Sequence, residues 1–341
     1  MEFDSDGVRL HYEVNGPEQG TPLVAVHGFA SDYRLNWVGT RWQETLTGAG
    51  FLVIGLDCRG HGQSDKPHDE AAYRVEVMAG DVVRLLDHLD VRSAAYIGYS
   101  MGARIGLEVV LNFPNRITRA VLGGIGTAGA IDHAPEIARA FRSGEPTDDP
   151  IAQTFYRFAS ARPTNDLQAL AACIVGLRPD ADPRRLAAIR TPILIVAGDR
   201  DEIARGAPEL VELVPAARLV TIAGRDHMSA VPSRDFKQAA VDFLTAEYSG
   251  LSGLTKQSSS VVVSDPMLGS LDGDSTRDDG DRAVRLEHRQ LHVFQILVAM
   301  FPNRHLDLIL VDTFAFHDVR EGLAVSHHDR GRRREQAMKA G

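Results

Sequence analysis

One stretch, Gly98-Tyr99-Ser100-Met101-Gly102, restricts the fold of this chain more than any other. It lies between a short apolar run at 94–97 and a helical pattern at 103–113, so it reads as strand, sharp turn and helix with Ser100 at the apex. A turn this tight forces its apical residue into a strained backbone conformation. The positions two before and two after must be small, because strand and helix pass close to each other there. The turn lifts the serine hydroxyl clear of the sheet, and the following helix aims its amide dipoles at the same place. A chain built this way needs a buried strand at 94–97 with others beside it.

Those other strands are legible. Residues 8–14 alternate apolar and polar and stop at Asn15-Gly16-Pro17, as a half-exposed strand does. The runs at 23–26, 51–56 and 192–197 are continuously apolar, the mark of strands covered on both faces, and shorter runs follow at 119–123 and 217–222. Helical patterns at 36–47, 75–89 and 234–248 alternate with them. This alternation predicts an α/β fold, a doubly wound and mostly parallel sheet with its chemistry at the strands' carboxyl ends. Residues 124–190 change character: short helices are broken by Pro135, Pro146, Pro150, Pro163, Pro179 and Pro183, with aromatic surface at Phe141, Phe155, Tyr156 and Phe158. An insertion at that place predicts a small helical lid.

The first domain is thus expected over 1–248. Residues 249–285, rich in Ser, Gly and Asp, read as a flexible linker, and 286–341 as a C-terminal extension of unknown structure. Six of the thirteen histidines lie beyond residue 285, at spacings that match no metal-ligand set. A formal net charge of −9 argues against a nucleic-acid-binding surface. Cys58 and Cys173 make no disulfide framework, and no apolar run reaches membrane-spanning length. Met1-Glu2-Phe3-Asp4 does not read as a signal peptide, so a cytoplasmic location is expected.

Four strand ends carry complementary chemistry in order: Gly28-Phe29, Ser100, Asp199 or Asp201, and His227. A hydroxyl becomes an effective nucleophile when a base takes its proton, and a carboxylate that fixes the imidazole's tautomer makes a histidine that base. His27 and His61 also sit at strand ends or in loops. Both read as structural hydrogen-bonders, and the turn-rich segment 57–67 as a loop that shapes the fold.

Over residues 3–248 the sequence resembles the α/β-hydrolase family. The resemblance rests on His27-Gly28-Phe29, Asp57-x-Arg59-Gly60-x-Gly62-x-Ser64, Gly98-x-Ser100-x-Gly102, Gly198-x-x-Asp201 and Gly224-x-x-His227. It implies Ser100 as nucleophile, His227 as base, Asp201 as acid, and the backbone amides of Phe29 and Met101 as the oxyanion hole. It implies no cofactor and no metal. Related dehalogenases and epoxide hydrolases place an aspartate at the elbow, so a serine there points to acyl transfer. The expectation is a serine carboxylesterase acting on a small-molecule ester. A cofactor-free perhydrolase or haloperoxidase-like enzyme, a carbon–carbon bond hydrolase, and a non-catalytic binding protein on the same fold are the alternatives. Nothing in the sequence specifies the acyl group, the alcohol or the oligomeric state.

Overall fold

A computed structural model describes residues 1–127, 130–177 and 183–246, and the backbone of Val261–Val263. The strands are β1 (Glu2–Ser5), β2 (Val8–Asn15), β3 (Thr21–Val26), β4 (Phe51–Leu56), β5 (Ala94–Tyr99), β6 (Ile117–Gly123), β7 (Ile193–Gly198), β8 (Ala217–Ile222) and β9 (Val261–Val263). The helices are α1 (Trp42–Gly48), α2 (Val75–His88), α3 (Met101–Asn112), α4 (Ala134–Ser143), α5 (Pro150–Ser160), α6 (Leu167–Gly176), α7 (Pro183–Leu186), α8 (Ala207–Leu213) and α9 (Arg234–Thr245). Among the described residues the strands form one sheet in the order β1-β2-β4-β3-β5-β6-β7-β8-β9. β1 and β4 pair with β2 antiparallel, and every later pairing is parallel. The doubly wound, mostly parallel sheet expected from the pattern is therefore what the chain forms.

All six residues of β5 and of β7 are buried, which is why their sequences run apolar without alternating. One face of the sheet, with Leu23, Ala25, Val53, Ile97, Val121 and Val196, packs under Trp37, Trp42, Leu46 and, from α9, Phe236 and Ala240. On the other face α3 lies on β5 and β6, with α2 beside it. Two covered faces exclude water from the strand interiors. The carboxyl ends stay open to the loops.

The order of the strands fixes where a ligand can enter. β3 lies between β4 and β5, so the chain leaves β3 toward one side of the sheet and leaves β5 toward the other. A crevice opens where neighbouring strands send their connections in opposite directions, here between the loop after β3 and the turn after β5.

The pattern at 36–47 does not form one helix. A single π-helical turn, Arg34–Val38, is followed by α1, and Arg41 between them has φ +62°. The cause is the tryptophan pair. In a continuous helix, residues five apart point about 140° from each other. The break lets Trp37 and Trp42 meet edge to face at 5.7 Å, both fully buried. The helices α4 to α7 occupy the segment between β6 and β7 where short helices were expected. Phe141, Phe155 and Phe158 are buried there, and Tyr156 is half-buried. Val261–Val263 pairs with β8 inside the stretch read as linker. The remainder of 249–341, including the clustered histidines, lies outside the described residues. No helix among the described residues is long and apolar enough to cross a membrane.

Candidate active site

Ser100 stands at the start of α3 with φ +54° and ψ −109°, a backbone region that costs a non-glycine residue of order 1–3 kcal/mol. The surroundings hold it there. Its N–H donates to the Gly123 carbonyl at 2.8 Å, and its own carbonyl receives the Arg104 N–H at 3.1 Å. The two glycines are required by contact. A Cβ on Gly98 would lie 2.3 Å from the Gly102 carbonyl oxygen, and one on Gly102 would lie 2.1 Å from the Val26 carbonyl oxygen. Both neighbours are backbone, which cannot step aside.

Three of the residues singled out in the sequence meet at this turn. His227 Nε2 is 3.0 Å from Ser100 Oγ, and His227 Nδ1 is 2.9 and 3.0 Å from the two carboxylate oxygens of Asp201. Asp201 is buried, and its Oδ1 also accepts the N–H groups of Ile203 and Ala204, each at 3.0 Å. A buried carboxylate needs such partners, and these fix its orientation toward the imidazole. With the proton on Nδ1, shared with Asp201, Nε2 is left as the acceptor that faces the serine hydroxyl. The second candidate carboxylate is elsewhere. Asp199 Oδ1 accepts the Gly224 N–H at 2.7 Å and braces the turn before His227.

Tyr99, the residue before the serine, was not singled out. Its hydroxyl donates to the His227 carbonyl at 2.5 Å, and its ring lies 5.2 Å from the imidazole. Burial raises its phenolic pKa well above the usual range, so it remains a donor. A tyrosine inside an apolar strand run gives no sequence sign of a polar task. Its contact is 128 residues away.

The amides of Phe29 and Met101 flank the serine. Among the described residues neither N–H has an acceptor: Met101 is the first residue of α3, where helix donors are left over, and the loop after β3 leaves the Phe29 N–H open. Neighbouring groups hold that loop. Asn36 Oδ1 accepts the Gly28 N–H at 2.9 Å, and His61 Nε2 accepts the Ala30 N–H at 3.1 Å. Ala30 itself has φ +59°.

His27 and His61 take the structural roles expected of them. His27 Nε2 accepts the Cys58 N–H at 3.0 Å, which leaves Nδ1–H to donate to the Gly28 carbonyl. His61 Nδ1–H donates to the Arg59 carbonyl at 2.9 Å. Burial pushes the pKa of both imidazoles down, that of His61 to about 3, so each is neutral and can accept a backbone N–H. The loop they sit in is equally braced. The Asp57 carboxylate accepts the Tyr33 and Gln63 N–H groups, and Arg59 pairs through two nitrogens with the buried Asp81.

A cavity opens at Ser100, lined by Phe29, Met101, Arg104, Ile174, Leu177 and Ile203. Most of this lining is apolar. Arg104 is on the same face of α3 as Ser100, four residues on, and burial holds its guanidinium pKa below the ordinary value against the opposing charge of Asp132. Neither the sequence motif nor its resemblance drew attention to Arg104. The signal available was its spacing from the serine.

Comparison with known proteins agrees with this fold. The family model for the alpha/beta hydrolase fold matches residues 21–170. 3-Oxoadipate enol-lactonase 2 of Acinetobacter baylyi is 32% identical over 217 residues, covering 58% of this chain and 77% of that protein. The chain belongs to the α/β-hydrolase family. Among solved structures, a hydrolase from Pseudomonas aeruginosa PA01 is 27% identical, with a TM-score of 0.62 over 72% of this chain and 98% of its own. An esterase from Exiguobacterium antarcticum, 21% identical, shares the α/β-hydrolase fold with a TM-score of 0.59 over 71% of this chain and 97% of its own.

Proposed function

We propose that this α/β hydrolase is a serine hydrolase that cleaves carboxylic esters, lactones included, through an acyl-enzyme. The observation that carries this reading is the unbroken chain from Asp201 through His227 to the Ser100 hydroxyl, set beside two backbone N–H groups with no acceptor among the described residues. In this reading Ser100 Oγ attacks the ester carbonyl carbon while His227 Nε2 takes its proton. The carbonyl oxygen becomes anionic and receives the Phe29 and Met101 N–H groups. Collapse of that tetrahedral adduct breaks the bond to the alcohol oxygen, to which the imidazolium returns the proton. Water, deprotonated by the same histidine, then releases the acid. Asp201 stays ionised throughout and stabilises the charged imidazole.

The enol-lactonase relative acts, by its name, on a cyclic ester, which suits acyl transfer at a serine. A serine at the elbow also suits an acyl intermediate better than attack on an epoxide. The apolar lining favours a small or medium acyl group.

The test is hydrolysis of p-nitrophenyl esters of graded acyl length, and of a set of lactones, by the wild type and by Ser100→Ala. The wild type is expected to turn over at least one series without added metal, and to keep its kcat/KM after treatment with a chelator. Full activity in Ser100→Ala, or loss of wild-type activity in the chelator, would refute the reading.

A further inference from the structure

The turn between α5 and α6 reads Arg162-Pro163-Thr164-Asn165. The Asn165 N–H donates to the Arg162 carbonyl at 3.0 Å and closes a four-residue turn whose second position is proline, the residue that presets the backbone there. Both ends of this rigid turn reach the segment after β3. The Arg162 guanidinium pairs with the Asp32 carboxylate, which also accepts the Leu35 N–H at 2.7 Å. Asn165 Nδ2 donates to the Ala30 carbonyl at 3.2 Å and to the Ala159 carbonyl at 3.1 Å, using both of its hydrogens. The intervening ring of Phe29 is held from the same side: it stacks on Phe141 of α4 at 5.9 Å and meets Phe155 of α5 edge-on at 5.6 Å.

Residues 29, 30 and 32 are thus gripped by the inserted helices. Asn36 and His61 grip Gly28 and Ala30 from the core. Ala30 needs both hands. Its positive φ is one an alanine keeps only where its surroundings over-determine it. Loss of the Asn165 bond removes one of the ties on Ala30, and with it one constraint on the adjoining Phe29 N–H, whose own peptide carbonyl, that of Gly28, is held by His27 and Ser31.

We propose that Asn165, supported by Arg162, is a positioning residue for the oxyanion donor at Phe29. Seating of the inserted helices on the loop after β3 completes the oxyanion hole, and their displacement leaves the Ser100–His227–Asp201 chain intact but short of one donor. This rests on the serine-hydrolase reading above. The insertion is tied to the core elsewhere as well, by Arg142 to Glu70, an exposed pair that among the described residues bonds to neither Ala30 nor Asp32. That pair supplies a control.

The experiment compares the full-length wild type, Asn165→Ala, Asn165→Asp and Arg142→Ala. Readouts are kcat and KM on one p-nitrophenyl ester and the inhibition constant of a trifluoromethyl ketone, whose adduct with a serine carries an anionic oxygen. Asn165→Ala is expected to lose roughly tenfold to a hundredfold in kcat, with the inhibition constant rising by a similar factor and KM changing by no more than about twofold. Asn165→Asp, which cannot donate, is expected to match it, and Arg142→Ala to behave as wild type. If Asn165→Ala does not fold, Arg162→Met, which removes the pair with Asp32, is expected to show the same split between kcat and KM. A folded Asn165→Ala with wild-type kcat and inhibition constant, or an equal fall in Arg142→Ala, would overturn the proposal, as would an unaffected Arg162→Met. A wild type that neither hydrolyses esters nor binds the ketone would instead overturn the serine-hydrolase reading, and this inference with it.

Discussion

Two aspartates two residues apart differ in what they touch, and that difference divides their roles. Asp201 holds the imidazole of His227, whereas Asp199 holds a backbone amide one turn away. Asp201→Asn is expected to lower kcat by roughly four orders of magnitude in a protein that still folds, because an amide favours the wrong imidazole tautomer. Asp199→Asn is expected to keep kcat and to lose about 1 kcal/mol of stability with its turn bond, read from urea unfolding. A larger fall in kcat for Asp199→Asn than for Asp201→Asn would reverse the assignment. Tyr99→Phe is the third substitution at this scale. It strips the buried His227 carbonyl of its donor, so it is expected to cost about 1–3 kcal/mol in the same unfolding assay. Unchanged stability would mean that the short contact carries no weight.

The unit of strand, turn and helix around Ser100 works because β5, β3 and α3 approach within contact distance. Gly102→Ala is expected to destabilise the chain by about 2–3 kcal/mol or more, since the added methyl meets the Val26 backbone and no flexible side chain can yield. Stability within about 0.5 kcal/mol of wild type would show that the approach is looser than the contacts indicate. This unit was fully legible in the sequence, because the spacing of its glycines expresses a steric demand directly. The buried strands were legible too, since burial on both faces removes polar residues from a run. The break at Arg41 was not. The pattern at 36–47 is helical in its local preferences, and it is the meeting of Trp37 with Trp42 that overrides them. β1 also escaped notice, being four residues with two exposed. In the site, Ser100, His227 and Asp201 stood out because their residue types announce their chemistry. Tyr99, Asn36 and Asn165 act through bonds to backbone atoms, and a residue's type says little about which distant carbonyl or amide it will meet.

At the scale of the whole molecule, burial of two neutral imidazoles couples the fold to pH. His27 and His61 are protonated in the unfolded chain below about pH 6.5 but resist protonation in the fold. The unfolded state therefore binds more protons in the window from about pH 6.5 down toward about 3, and stability falls as pH falls through it. His61 contributes up to about 1.4 kcal/mol per pH unit in that window, and His27, also held neutral by burial, acts in the same direction. Urea midpoints measured between pH 7 and pH 4.5 are expected to fall steeply for the wild type and less steeply for His61→Gln, which keeps an acceptor for Ala30 and cannot be protonated. Equal slopes would contradict this account. The same packing that keeps these imidazoles neutral holds the loop after β3 beside Ser100, so the molecule's architecture and its proposed chemistry meet at one serine. The most direct measurement is intact-mass spectrometry after treatment with a fluorophosphonate, followed by peptide mapping. One adduct per chain on Ser100, absent in Ser100→Ala and formed far more slowly in His227→Ala, is the result expected. An unlabelled wild type, or an adduct on any other residue, would contradict the claim that Ser100 is an activated nucleophile.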